Sequence, residues 1–161
     1  MTKRKAVAAA IGAAVLLAVA PTAFAEADGE TIATASKAPY GAYLTADQGR
    51  ALYMFSADHN GASACDGACA KAWPPVTTEA APVAGAGIQA RLLGTIARNG
   101  SMQVTYAGKP LYYFVGDISS ATGRPGSTAG EDVKHFGGAW YLLAPSGEEI
   151  DPDAVTKSNG N

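Results

Sequence analysis

Cys65 and Cys69 are the only two cysteines in the chain, and they lie within Ala51–Val76 (ALYMFSADHNGASACDGACAKAWPPV). Two chemistries suit them. In an oxidising compartment a pair this close forms a local disulfide that pins the polar turn after an aromatic run, with Gly67 supplying the permissive backbone of a tight ring. As thiolates they would instead join His59 and Met54 as a set of soft ligands, suited to copper or another soft metal, or serve with His59 as a redox site. C-x3-C has neither the common zinc nor the thioredoxin spacing, and the disulfide is the reading adopted. Asp58 and Asp117 could form a carboxylate pair for acid–base work. Placed five residues after a strand tyrosine, each is better suited to end its strand and accept backbone N–H bonds in the following turn. Tyr53 and Tyr112 then become core rings whose hydroxyls need partners, and Trp73 and Trp140 become core indoles. The chain holds no G-x-S-x-G, HExxH, P-loop or dinucleotide fingerprint, so a non-catalytic role is expected.

The elements that must position these residues are short strands. Tyr40–Asp47 and Ala51–Asp58 flank the turn-forming Asp47-Gln48-Gly49-Arg50 and read as a hairpin. In the second run Tyr53 and Phe55 share one face while Leu52 and Met54 share the other, so this strand is expected to be buried on both sides. Leu92–Ala97 and Ser101–Tyr106 flank Asn99-Gly100, the strongest short hairpin signal. Ala107-Gly108-Lys109 turns again into a predicted third strand, Pro110–Val115, and Ala139–Ala144 is the last. Ile118–Gly138 is Gly/Ser/Thr-rich and reads as a long loop.

The pattern repeats. Gly49–Asp58 (GRALYMFSAD) aligns with Gly108–Asp117 (GKPLYYFVGD) at a constant offset of 59, and Ala72-Trp73 answers Ala139-Trp140. Two copies of one supersecondary unit that bury their faces together would produce this. Tyr53-x4-Asp58, Tyr112-x4-Asp117 and the run Ser63-x-Cys65-x-Gly67-x-Cys69-Ala70-x-x-Trp73-Pro74-Pro75 resemble the secreted and lipoprotein repeats that carry a Y-x4-D motif, a family without an assigned function. The resemblance covers Tyr40 to Ala144. Many members carry a lipidation cysteine after the signal peptide, and this chain has none there.

The N-terminus sets the compartment. Lys3, Arg4 and Lys5 precede the apolar run Ala6–Ala20, and Ala23-Phe24-Ala25 fits a cleavage site before Glu26. The run is too short and alanine-rich to span a bilayer, which takes about 20 apolar residues. Residues 1–25 are therefore expected to be a signal peptide, and the product to be secreted or periplasmic and soluble, without membrane insertion. Cleavage removes three cations and leaves 9 Lys/Arg against 14 Asp/Glu, a net charge of −5 with His neutral. That sign argues against nucleic acid or an anionic membrane as a partner. No cofactor is expected, and a cell-envelope component is the candidate partner.

The expected architecture is mainly β. It is a compact antiparallel domain of two related hairpin repeats, with a short helical or irregular segment around the cysteines. Residues 26–39 are expected to be a flexible leader, 40–145 a single domain with repeats at about 40–76 and 101–144, and 146–161 a polar tail.

Overall fold

The structure, a computed structural model, describes residues 28–46, 48–118 and 127–153. The expected signal peptide and its cleavage point lie outside the described residues. In chain order the elements are β1 (Thr31–Lys37), β2 (Gly41–Ala46), β3 (Arg50–Ala51), β4 (Tyr53–Phe55), α1 (Ala68–Ala72), β5 (Thr77–Thr78), β6 (Val83–Ala84), β7 (Leu93–Arg98), β8 (Ser101–Tyr106), β9 (Lys109–Pro110), β10 (Val133–His135) and β11 (Gly138–Leu142). They form sheets ordered β3-β2-β1-β6, β10-β11-β4 and β5-β8-β7, with β9 on β8. The fold is mainly β, and its strand pairs are antiparallel except β1–β6. The short helix α1 begins within the cysteine loop and carries Cys69.

Turn chemistry sets the register of the second repeat. Asn99 and Gly100 both have positive φ (47° and 83°), so β7 and β8 are joined by a two-residue turn with Arg98 opposite Ser101. Ala107-Gly108 repeats the device between Tyr106 and Lys109. The third strand expected over Pro110–Val115 is shorter than the sequence suggests. After Lys109–Pro110 only Tyr112 makes bridges, and Val115–Asp117 closes into a 3-10 turn.

The strand holding Tyr53 is buried on both faces and divides the core in two. Leu52 and Met54 enter one cluster with Leu44, Val104 and Leu111. Tyr53 and Phe55 point the opposite way, into a second cluster with Trp73, Tyr112 and Trp140.

The repeats interlock around an approximate two-fold. Tyr53 and Tyr112 exchange both backbone bonds, at 2.9 and 3.0 Å, so the equivalent residues of the two copies pair with each other. Each repeat then gives its last segment to the other. Trp73 is followed by Pro74–Val76, which bonds Tyr113 and Leu111 of repeat two. Trp140 lies in β11, which pairs with β4 of repeat one, Leu142 opposite Tyr53.

Three expectations are corrected. The supposed flexible leader contains β1, which pairs along its length with β2 and at its start with β6. Its small polar side chains (TIATASK) suit a strand held by ladder bonds, with only Ile32 fully buried. Within the expected loop Ile118–Gly138, residues 119–126 lie outside the described residues. The remainder is built in: Ala129 and Gly130 donate to buried oxygens and 133–135 form β10. The expected polar tail continues the fold through Ile150, which is buried and donates to the Leu142 carbonyl, while Glu149 bridges Leu143.

Candidate functional site

The two Tyr-x4-Asp motifs meet across the repeat interface, and they do so crossed. The Tyr53 hydroxyl donates to Asp117 Oδ2 at 2.7 Å, and the Tyr112 hydroxyl donates to Asp58 Oδ2 at 2.7 Å. Each tyrosine is thus satisfied by the other copy's aspartate. The backbone explains the crossing. The antiparallel Tyr53–Tyr112 pair sends the two strands past each other, so each strand's end, where its Asp sits, passes the neighbour's ring.

Each aspartate also organises the turn after its own strand. Asp58 Oδ1 accepts from Ala64 N–H at 2.7 Å, and Asp117 Oδ1 accepts from Ala129 N–H at 2.7 Å and from the Ser127 hydroxyl at 3.1 Å. Ser63 Oγ lies 2.7 Å from the Tyr112 hydroxyl, and Gly130 N–H donates to the Tyr53 hydroxyl at 3.3 Å. Burial pushes both carboxyls above the ordinary aspartate range, against the pull of these donors. Burial likewise raises both phenols, so they remain protonated donors.

Between the pairs runs a column of rings. Phe55 stacks on Trp140 (4.2 Å between centroids), Trp140 on Trp73 (3.9 Å, 2° between planes) and Trp73 on Phe114 (4.2 Å). Tyr53 meets Trp73 edge-on at 5.4 Å, and Tyr112 meets Trp140 edge-on at 5.1 Å. Gly130 is required here: a Cβ would lie 2.8 Å from both the Trp73 and Tyr53 rings.

Cys65 and Cys69 form a disulfide, and no described cysteine is free. This is the adopted reading, and it removes both thiolates from the alternative soft-metal set. Met54, Asp58 and His59 still line one cavity of about 200 Å³. His59 Nδ1 lies 2.9 Å from the Ala57 carbonyl, and with its proton there it donates and leaves Nε2 as the free lone pair. Among the described residues no cluster of three or more His, Cys, Asp or Glu could hold a metal ion.

Arg98 was not legible as a site residue. Its side chain is 8% exposed. The guanidinium donates to the Cys65 carbonyl, to Ser63 Oγ, to Gln103 Oε1 at 3.0 Å and to Asp66 at 3.2 Å. Gln103 is itself fully buried and donates to the Leu111 carbonyl. An arginine beside a hairpin turn looks solvated in sequence; the signal available was the polar Gln103 at a buried strand position. Glu131, in the expected loop, was also missed. Its Oε2 accepts from Leu142 N–H at 2.5 Å, and its Oε1 is buried with no partner among the described residues. Burial first, and then Asp132, Asp151 and Glu149, push its carboxyl up to about 7.

A family model described as a secreted repeat of unknown function matches residues 34–77 and 95–144, one match per repeat. No curated protein and no solved structure matches the chain. Among the described residues no helix is long and apolar enough to cross a membrane.

Proposed function

The chain belongs to a family of secreted repeats of unknown function, and from that premise we propose that it is an exported, non-catalytic binding or envelope-associated module. The observation that carries this reading is how the motif is spent. Both hydroxyls and both carboxylates of the Tyr–Asp pairs are directed at each other and at turn N–H groups, with Asp117 buried in the core and Asp58 half-buried. A general base must reach a substrate proton; Asp117 is 2% exposed and its two oxygens are already accepting. The motif therefore serves to lock two repeats into one scaffold, leaving the exterior for a partner. Export by cleavage before Glu26 belongs to the same reading.

The test is the exported protein from cells producing the full-length chain. Its intact mass should begin at Glu26, carry no acyl chain and show no free thiol. It should also show no hydrolytic activity that an Asp58→Ala variant loses. An acylated mass would overturn the soluble-export reading, and an Asp58-dependent hydrolysis would overturn the non-catalytic one.

A second reading, a soft cation such as copper, now rests on Met54 and His59 lining a common cavity beside Asp58. Copper that stays with disulfide-intact protein and is lost on His59→Ala would favour it. Equal binding by that variant would end it.

A further inference from the structure

Packing accounts for the aromatic column, yet it does not account for what the two tyrosines carry. Phenylalanine at 53 and 112 would fill the same volume without the bonds to Asp117, which is buried, and to Asp58, which is half-buried, and carboxylates are costly to desolvate. The carboxylates add a proton acceptor 2.7 Å from each phenol oxygen. A phenol that loses one electron becomes a strong acid, and a carboxylate in direct hydrogen-bond contact takes the proton as the electron leaves. One of the stacked indoles is placed differently: Trp140 Nε1 is buried with no acceptor among the described residues. An oxidised Trp140 would therefore keep its proton and remain a stronger oxidant than the phenols beside it.

We propose that the Trp73–Trp140 stack and the crossed Tyr53–Asp117 and Tyr112–Asp58 pairs form a one-electron relay that takes oxidising equivalents from a one-electron oxidant at the surface and holds them as a tyrosyl radical. The oxidant class is a small radical or a high-potential metal complex. Entry is at Phe114, the half-buried end of the column, beside Val115 and Ile118, which are 47% and 39% exposed. Phe114 is too hard to oxidise and serves as a bridge. One electron leaves the indole stack and reduces the oxidant. Tyr112 then gives one electron to the oxidised Trp140, 5.1 Å away, while its O–H proton moves to Asp58 Oδ2. The net products are the reduced oxidant, a neutral Tyr112 phenoxyl and a protonated Asp58. Tyr53 and Asp117 do the same from Trp73. A one-electron reductant reverses the sequence, the proton returning from the aspartate. This function is independent of any ligand the exterior binds.

Flash photolysis of the disulfide-intact exported protein tests the relay, with photogenerated ruthenium(III) tris-bipyridine as oxidant. Wild type should show the indole radical's visible band giving way to the phenoxyl band at a rate independent of protein concentration. Tyr53→Phe/Tyr112→Phe should stop at the indole radical. Asp58→Asn/Asp117→Asn keeps an acceptor oxygen but not a base, and should slow phenoxyl formation roughly a hundredfold, the lower end of what a positioned proton acceptor contributes. Near-ultraviolet circular dichroism checks that the variants retain the stack. An indole radical that decays without forming phenoxyl overturns the proposal, as does a conversion rate that the aspartate variant leaves unchanged. If that variant does not fold, the wild type in deuterated solvent decides. A slowed conversion supports proton transfer coupled to the electron, and an unchanged rate overturns it.

Discussion

The two repeats reach the same geometry by different means. Fifteen residues separate Asp58 from Trp73, and 23 separate Asp117 from Trp140. Repeat one fixes its shorter connection with the Cys65–Cys69 disulfide and with Arg98, which holds the Cys65 carbonyl from the other repeat. Repeat two has neither. Both connections hang an alanine N–H on their own aspartate, Ala64 on Asp58 and Ala129 on Asp117, but repeat two adds Gly130 on the Tyr53 hydroxyl and Glu131 reaching Leu142. What the copies share is the part in contact across the interface: two Tyr, two Asp and two Trp. What they do not share lies outside it. The disulfide is accordingly one solution to holding a loop, and the crossed pairs are the common requirement.

If the shared part carries the fold, the largest effects belong to it. Trp73→Ala and Trp140→Ala should each destabilise by about 3–5 kcal/mol in urea denaturation, the range for emptying a buried aromatic site. Because the two indoles stack on each other, the double variant should lose less than the sum of the singles. Strict additivity would show that the halves are independent.

The aspartates should separate the copies. Asp117→Ala strands the Tyr53 hydroxyl and Ala129 N–H in a nearly closed site, at a cost of about 1–3 kcal/mol per orphaned group. Asp58→Ala leaves Ser63 beside the Tyr112 hydroxyl in a more open site and should cost less. The reverse order in thermal denaturation would mean that the loop of repeat one, with its disulfide, leans on its aspartate more heavily than repeat two does.

Removal of the disulfide should cost less again in total than the loss of a core indole. Cys65→Ser/Cys69→Ser should lower stability by about 2 kcal/mol, the chain-entropy value for so small a ring, and should still fold. Adding Arg98→Met should cost more than the two changes summed, because both hold the same loop. A simple sum would place Arg98 outside the support of the cysteine loop.

The Asn99-Gly100 hairpin, the two buried faces around Tyr53 and the repeat were legible because they rest on local signals. The hairpin expected of Tyr40–Asp47 with Ala51–Asp58, by contrast, holds only at Arg50–Ala51, since Tyr53–Phe55 leaves β2 to pair with β11. The crossing was not legible. A Tyr and an Asp five residues apart read as a local strand and its end, and nothing in that spacing says the hydrogen bond goes to the other copy. β1 was missed because TIATASK has one large apolar residue, and its strand character comes from β2. Ile150 was missed for the same reason, as a lone apolar side chain in an acidic run. Arg98 and Glu131 are polar residues in turn-rich sequence, placed by partners 33 and 11 residues away.

The smallest effect isolates one difference between the connections. Two residues past the alanine that donates to each aspartate stands a carboxylate: Asp66 in repeat one, Glu131 in repeat two. Asp66 is exposed and has the Arg98 guanidinium at 3.2 Å. Glu131 turns inward because Leu142 N–H needs an acceptor; Leu142 faces Tyr53 where repeat one's Pro75 faces Tyr112, and a proline has no N–H to satisfy. Glu131 faces Asp132 on its own segment and Glu149 and Asp151 on the C-terminal segment, with Lys134 drawn to Asp132. With its carboxyl raised from 4.5 to about 7, folding is favoured by protonation. The stability it contributes is fully present below about 4.5 and is lost as the pH rises through about 7. Glu131→Gln keeps an acceptor for Leu142 without the charge. It should flatten the pH dependence of the melting temperature between those limits and raise that temperature at pH 8, while Asp66→Asn should do neither. A wild-type profile that is already flat there, or one that Asp66→Asn flattens equally, would show that the buried carboxylate of repeat two is not what distinguishes the copies in their response to protons.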